Sequence, residues 1–222
     1  MTAVIGVQDL GVHFGRTAAL SGVTIEIPEG ITGLFGPNAS GKTTLLRVLA
    51  GLLRPTTGTV TLFGRALTTK DESLRARIGY AGHRSGLYGR LSVMENLELF
   101  ERLYGISSGD RSLALLEQLG LSERSSTPVA DLSAGYRRRA AVARALLHEP
   151  DLLLLDEPYA NLDDEAAELV SDAITSWRAP GRCALIATHG AKKVKRYADG
   201  GLILQHGRVI RQGTYETTGF TS

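Results

Sequence analysis

The sequence has little of what marks a secreted or membrane-spanning chain. Its 222 residues include one cysteine, Cys183, so no disulfide can form within the chain, as is usual in a reducing cytoplasm. Cys183 opens the apolar residues 183–187, which predicts a buried structural thiol. Apolar runs such as residues 152–155 fall far short of the roughly 20 residues that span a bilayer. Gln8 and Asp9 come too early for a signal peptide. We expect a chain that cannot by itself cross a membrane.

Excess charge of one sign is also lacking. The formal net charge is +2, from 25 basic and 23 acidic residues, so nothing in it calls for a nucleic acid or an anionic membrane as partner. The basic run on a predicted helix is Arg137, Arg138 and Arg139, for which a solvated helix face is the expected place. The sequence contains no internal repeat and no low-complexity linker. We therefore predict no nucleic-acid partner.

Strand and helix patterns alternate along the chain and predict an α/β fold. Val23, Ile25 and Ile27 alternate with polar residues, as in a half-buried strand. Residues 152–155 are apolar without alternation, which suits a parallel strand covered on both faces. Between residues 85 and 150 helical spacing dominates. We predict one domain, residues 1–222, with an α/β core at 1–84 and 151–222 and a helical subdomain at 85–150.

A glycine-rich segment fits the phosphate-loop pattern G-x-x-x-x-G-K-[ST], with a predicted strand before it and a helix after it. Glycines let the backbone wrap a phosphate, and the helix N-terminus adds partial positive charge. The lysine supplies a full charge and the threonine hydroxyl a ligand for Mg²⁺. The alternative is a glycine turn at the start of a helix that carries Lys-Thr by chance. The motif predicts a nucleoside triphosphate site at Gly36, Pro37, Asn38, Ala39, Ser40, Gly41, Lys42, Thr43 and Thr44.

Two acids, Asp156 and Glu157, end the apolar strand of residues 152–155. Ligands bind at the carboxyl edge of parallel strands. Asp156 fits the Mg²⁺-associated acid that complements a phosphate loop. Glu157 points the other way and fits a general base for the attacking water. An acidic turn at a strand end is the alternative, which the presence of the phosphate loop disfavours.

Further motifs resemble the ATP-binding cassette (ABC) ATPases, in that family's order and spacing over essentially the whole chain. The sequence Leu-Ser-Ala-Gly-Tyr at residues 132–136 resembles the ABC signature, and Asn-Leu-Asp at residues 161–163 resembles the D-loop. His189 resembles the switch histidine. Phe14 stands where the family places an aromatic that stacks on adenine. His83 stands in the Q-loop, where glutamine is usual.

The resemblance implies a P-loop NTPase fold: a RecA-like mixed sheet core, an antiparallel β subdomain and an inserted helical subdomain. It implies ATP and Mg²⁺ as cofactors, with the metal at Thr43, Asp156 and His83, and catalysis by Glu157, His189 and His83. Two copies would face head to tail in the ATP-bound dimer, and each copy would work with membrane-spanning permease subunits at the cytoplasmic face of the membrane. Ser133 and the Gly135 amide would contact the γ-phosphate across the interface, and Ala134 and Asp163 are further ATP-binding candidates in the signature and the D-loop.

The sequence departs from the family pattern at several positions. Ala39 and Ala134 replace glycines, Tyr136 replaces the signature glutamine and Asn161 the D-loop serine. His83 is the most informative departure, because a neutral imidazole nitrogen could reach the metal or the water as glutamine does. The alternative is a solvent-facing His83, with a water keeping its place at the metal.

The Q-loop and signature variants together are similar to the ATPase of the haem exporter used in cytochrome c maturation. That resemblance gives the specific hypothesis of haem export. The same motifs serve exporters of drugs, lipids or polysaccharides, so these stay open. A soluble ABC protein of DNA repair or translation fits less well, because the chain has one cassette and near-neutral charge. A non-catalytic binding module is disfavoured by the presence of Lys42, Glu157 and His189.

Overall fold

A computed structural model describes residues 3–68, 71–106 and 109–214. Over these ranges the chain forms two sheets and seven α-helices, with 3₁₀ turns at Ser122–Arg124 and Val129–Asp131. The strands are β1 (Ile5–Phe14), β2 (Thr17–Ile27), β3 (Gly30–Phe35), β4 (Thr57–Leu62), β5 (Arg65–Ala66), β6 (Ile78–Ala81), β7 (Leu152–Asp156), β8 (Cys183–Ala187), β9 (Gly200–Gln205) and β10 (Arg208–Thr214). The helices are α1 (Lys42–Leu49), α2 (Glu72–Arg75), α3 (Val93–Tyr104), α4 (Asp110–Gln118), α5 (Ala134–Leu146), α6 (Asp164–Trp177) and α7 (Ala191–Lys195).

The larger sheet has the strand order β10-β9-β3-β8-β7-β6. Its inner pairs are parallel, and β10 joins β9 in the antiparallel sense. Every residue of β7 and β8 is buried. Leu153 and Leu155 pack into the core on one face of the sheet, while Leu152 and Leu154 pack into the core on the other. The non-alternating apolar run therefore belongs to a parallel strand covered on both faces, as predicted.

The smaller sheet is antiparallel, in the order β2-β1-β4-β5. Val23, Ile25 and Ile27 of β2 are buried, and the intervening residues are exposed. These side chains share a core with Leu45 and Leu49 of α1, so the helix that follows β3 lies between the two sheets. Cys183 is fully buried in the same core. The α/β class with a mixed sheet and an antiparallel sheet is confirmed.

Helices dominate the segment between β6 and β7. Ser92 caps α3 in a capping box with Glu95, and Ser133 caps α5 by accepting a hydrogen bond from the Tyr136 amide. Within the described part of this segment the backbone forms no strand, only the isolated bridge between Ser92 and Pro128. Helix α5 packs on β6 and its apolar side chains enter the core of the larger sheet. The subdomain limits at residues 85 and 150 stay a prediction.

Candidate active site

The glycine-rich loop leads from β3 into the N-terminus of α1. Gly41 precedes the helix with φ of 107° and gives it no side-chain cap, which leaves the first amides free to face an anion. A Cβ on Gly41 would lie 2.6 Å from the Ala19 carbonyl oxygen, and one on Gly36 would lie 2.0 Å from that of Leu204. Glycine is thus required at both positions by backbone conformation and by close approach.

The side chain of Lys42 bonds to the backbone of the phosphate loop. Its Nζ donates hydrogen bonds to the carbonyl oxygens of Gly36 at 2.7 Å and Pro37 at 3.0 Å. Burial lowers the pKa of Lys42, and the carboxylates of Glu157 and Asp156 oppose that shift. The hydroxyl of Ser40 is buried without a hydrogen-bond partner. A buried cation beside an unpartnered hydroxyl and free helix amides forms a polar cradle that fits phosphate oxygens.

Asp156 joins the end of β7 to this cradle. The Thr43 hydroxyl donates to Asp156 Oδ2 at 2.7 Å. Burial is the main cause that raises the pKa of Asp156, while the Thr43 hydrogen bond lowers it. In the described ranges no three His, Cys, Asp or Glu side chains group as a metal site. Mg²⁺ usually takes one or two protein ligands and completes its shell with phosphates and waters, so the Thr43–Asp156 pair fits Mg²⁺ that arrives with a nucleotide.

Glu157 follows Asp156 in a left-handed conformation, with φ of 52°. This conformation is costly for a non-glycine residue. Its Oε1 accepts a hydrogen bond from the His189 amide at 3.1 Å and lies 2.9 Å from His189 Nδ1. The carboxylate is thus held toward the segment that follows β8. A carboxylate fixed beside a histidine can orient and deprotonate a water.

One cavity of about 580 Å³ brings most of the predicted residues together. Phe14, half exposed, lies at its rim on β1. Small residues that carry no motif signal also line it, and sequence reasoning missed them: Thr17, Ala18, Ala19 and Ala160. The predicted residues that line it are Phe14, Asn38, Ala39, Ser40, Gly41, Lys42, Thr43, Thr44, His83, Asp156, Glu157 and His189.

The signature residues do not line this cavity. Ser133 and Ala134 are exposed at the start of α5, and Asp163 is exposed where it caps α6. Gly135 packs against the Asn161 backbone, where a Cβ would lie 2.9 Å from the carbonyl oxygen. Within one copy of the chain these residues therefore do not contribute to the loop's site. Their exposure leaves them available to a second molecule.

The arginine run is not a solvated helix face, and that prediction was wrong. Arg138 and Arg139 are 8% and 9% exposed. Arg138 Nη1 donates to the carbonyl oxygens of Gly82 at 2.9 Å and Asp156 at 3.3 Å, while Arg139 Nη1 donates to those of Leu119 and Gly120. A guanidinium carries five donors, so it can be buried where backbone carbonyls converge.

Comparisons with known proteins identify the family. The model of the family described as ABC transporter matches residues 20–160. The Nod factor export ATP-binding protein I of Cupriavidus pinatubonensis is 37% identical over 96% of this chain and 67% of its own length. The daunorubicin/doxorubicin resistance ATP-binding protein DrrA of Streptomyces peucetius is 34% identical over 96% of this chain and 66% of its own length.

Structural comparison agrees with these matches. A dimeric ATP-binding cassette in a post-hydrolysis state, bound to ADP and Pi, superposes with a TM-score of 0.86 at 25% identity, covering 95% of this chain and 98% of that one. No helix in the described ranges is long and apolar enough to span a membrane. The phosphate cradle, the Glu157–His189 contact and the family matches all indicate a chain that binds and hydrolyses ATP. The chain belongs to the ABC transporter family, as an ATP-binding and ATP-hydrolysing subunit.

Proposed function

We propose that the chain hydrolyses ATP through Glu157 and His189 and thereby drives export through separate membrane permease subunits. The observation that carries the proposal is the 2.9 Å contact between Glu157 and His189 at the wall of the cavity that contains the phosphate loop. A water placed there lies within reach of a base and of the γ-phosphate that the loop would hold. Relatives named for Nod factor export and drug resistance support export.

Each residue of the phosphate loop and the cavity around it has a proposed role in binding or hydrolysing ATP. Lys42 turns from the Gly36 and Pro37 carbonyls toward the β- and γ-phosphates, and the free amides of α1 bind the remaining oxygens. Thr43 and Asp156 would hold Mg²⁺, with His83 as a further candidate, and the ion would neutralise phosphate charge. Glu157 accepts the proton of the attacking water, and His189 keeps the carboxylate oriented. Phe14 offers a ring at the cavity rim on which adenine can stack.

The second half of each site is proposed to come from another copy. Ser133, Ala134, Gly135 and Asp163 do not line the cavity of their own phosphate loop; the first two and Asp163 are exposed, and Gly135 is partly exposed. In a head-to-tail dimer they would face the γ-phosphate held by the partner, with Ser133 and the amides at the start of α5 as donors. Loss of that phosphate would remove these contacts and loosen the dimer. The dimeric ATP-binding cassette bound to ADP and Pi supports the pairing of two copies.

Haem export gains no support from these relatives, whose names point to Nod factor export and daunorubicin resistance. Export of a drug, lipid or polysaccharide therefore fits the relatives better than cytochrome c biogenesis does. The substrate is chosen by the permease. The identity of the permease is therefore what an experiment must establish.

Identifying the permease tests the export proposal. Tagged Glu157→Gln, locked with Mg·ATP in native membranes, is expected to copurify polytopic membrane proteins, which mass spectrometry identifies. Lys42→Ala treated identically is the matched control, because it loses nucleotide and should recover much less of the partner. Permeases of the cytochrome c assembly machinery, with haem in the sample, would revive haem export. Recovery of only ribosomal or soluble partners would overturn the transporter role itself.

Replacing His83 tests its proposed role in binding the metal or the water. His83 lines the cavity beside Asp156, and its charge, when protonated, would lower the pKa of that acid. His83→Ala is expected to lower Mg²⁺-dependent turnover by about tenfold or more, as loss of one positioned polar group does, with ATP affinity nearly unchanged. Steady-state turnover and nucleotide titration separate the two. Equal losses in both would contradict the assignment, and His206→Ala, at an exposed histidine that does not line the cavity, is the control.

A further inference from the structure

We propose that Arg138 is a positioning residue that holds the Glu157 backbone and the Q-loop in register with the signature helix. This inference deepens the proposed function and rests on the role given there to Glu157. No motif of the sequence analysis assigned Arg138 a task. Its contacts join three segments that reach the reaction from different parts of the chain.

The guanidinium lies where the pairing of two strands ends. Ala81 of β6 and Leu155 of β7 are the last paired residues, and Gly82 and Asp156 come next. Arg138 Nη1 donates to the carbonyl oxygens of both, at 2.9 Å and 3.3 Å. A single side-chain nitrogen therefore connects the ends of β6 and β7 just beyond their last paired residues. His83, which lines the cavity, follows Gly82 directly.

The Asp156–Glu157 peptide is held from both sides. Arg138 binds its carbonyl oxygen, and its amide, that of Glu157, donates to the Ala187 carbonyl oxygen at 2.8 Å. Glu157 occupies a left-handed conformation that costs on the order of 1–3 kcal/mol and persists only where its surroundings determine it. Two hydrogen bonds that fix the plane of the preceding peptide supply that determination. The side chain of Glu157 is thus aimed at His189.

The same arginine connects this peptide to the signature. Arg138 lies one turn beyond Ser133, Ala134 and Gly135 on α5, and it is buried. Burial lowers the pKa of Arg138, and the charges of Asp156 and Glu157 oppose that shift. A shift of α5 would pull on the carbonyls before Glu157 and His83.

Arg139 is a matched control on the same helix. It is buried to the same extent and also binds two backbone carbonyls, but those belong to Leu119 and Gly120 at the end of α4. Arg139→Gln should also lower thermal stability, because it leaves the buried Leu119 carbonyl without its guanidinium donor, although exposed Gly120 can turn to water. Of the two, only Arg138 contacts the segments that carry Glu157 and His83, whereas the Arg139 guanidinium lies over the Tyr136 ring. A difference in turnover between the two variants therefore reports position and not stability.

The experiment measures kcat, KM for ATP and Tm for both glutamine variants. Arg138→Gln is expected to lower kcat by about 10- to 100-fold, as misplacement of a catalytic group by about 1 Å does, with KM nearly unchanged. Arg139→Gln should keep kcat. Arg138→Lys, which keeps the charge but not the planar fork, should show a kcat between those of Arg138→Gln and the unmodified chain, and it serves if Arg138→Gln fails to fold.

Unchanged kcat in both Arg138 variants would overturn the proposal, as would an equal loss of kcat in the Arg139→Gln variant. Glu157→Gln, assayed in parallel, keeps the two hypotheses apart. If Glu157→Gln still turned over ATP, the role of Glu157 itself would fail. If Glu157→Gln lost turnover and Arg138→Gln did not, only the role of Arg138 would fail.

Discussion

Replacing Glu157 by Gln is expected to slow ATP hydrolysis by roughly 10²- to 10⁴-fold, the usual worth of a positioned general base. The amide is nearly the same size and can still accept a hydrogen bond from the His189 amide, so the site should keep its shape. It cannot take a proton from water. ATP should therefore bind normally, persist, and hold two copies together as a dimer.

Single-turnover assays with Mg·ATP measure the rate, and size-exclusion chromatography with and without ATP measures the dimer. Glu168→Gln is the matched control: the same chemical change on α6, at an exposed carboxylate paired with Arg196. Exposed ion pairs contribute little, so this variant should hydrolyse ATP normally and dissociate after turnover. A Glu157→Gln variant with normal turnover would place the base elsewhere.

Replacing Lys42 by Ala is expected to weaken ATP binding by about 2–5 kcal/mol, the usual cost of removing one partner of a desolvated charge pair. Nζ is the buried cation of the phosphate loop and donates hydrogen bonds to the carbonyl oxygens of Gly36 and Pro37. Without it, the helix amides carry the phosphate charge alone. Hydrolysis should fall with occupancy, since no ATP is held for Glu157 to act on.

Isothermal titration with Mg·ATP measures the affinity. Arg47→Ala is the matched control, since it removes a cation from the same helix at an exposed position. That variant should bind ATP as the unmodified chain does. Unchanged affinity in the Lys42→Ala variant would sink the phosphate-loop assignment. Circular dichroism of both variants establishes that the fold is intact.

Local signals in the sequence predicted the centre of the fold and most of the site. The run at residues 152–155 lacks alternation because β7 is buried on both faces, and the acids follow where the strand meets the sheet edge. The phosphate loop is a contiguous motif, so its strand–loop–helix context could be predicted. Strand β6 could not be predicted in the same way, because its four residues, Ile78–Ala81, are too few to show a periodic pattern.

Long-range contacts could not be predicted in this way. Arg138 and Arg139 form a charged run, and charge alone favours solvent. Their burial depends on carbonyls from β6, β7 and the end of α4, which lie many residues away in the sequence. The placement of Ser133 outside the cavity of its own phosphate loop agrees with the head-to-tail pairing that the family resemblance implies, and its role toward the ATP of a second copy stays a prediction.

Cys183, buried in β8, has a practical consequence for observing this motor at work. It is the sole cysteine of the chain, and its burial raises the pKa of the thiol to about 12. Maleimides and spin labels react with the thiolate, so the native residue stays silent in the folded protein. A cysteine introduced at exposed Asp131 or Glu165 would then be the one reactive thiol. Probes attached there would test the proposed opening and closing of two cassettes without any change to the native chain's core.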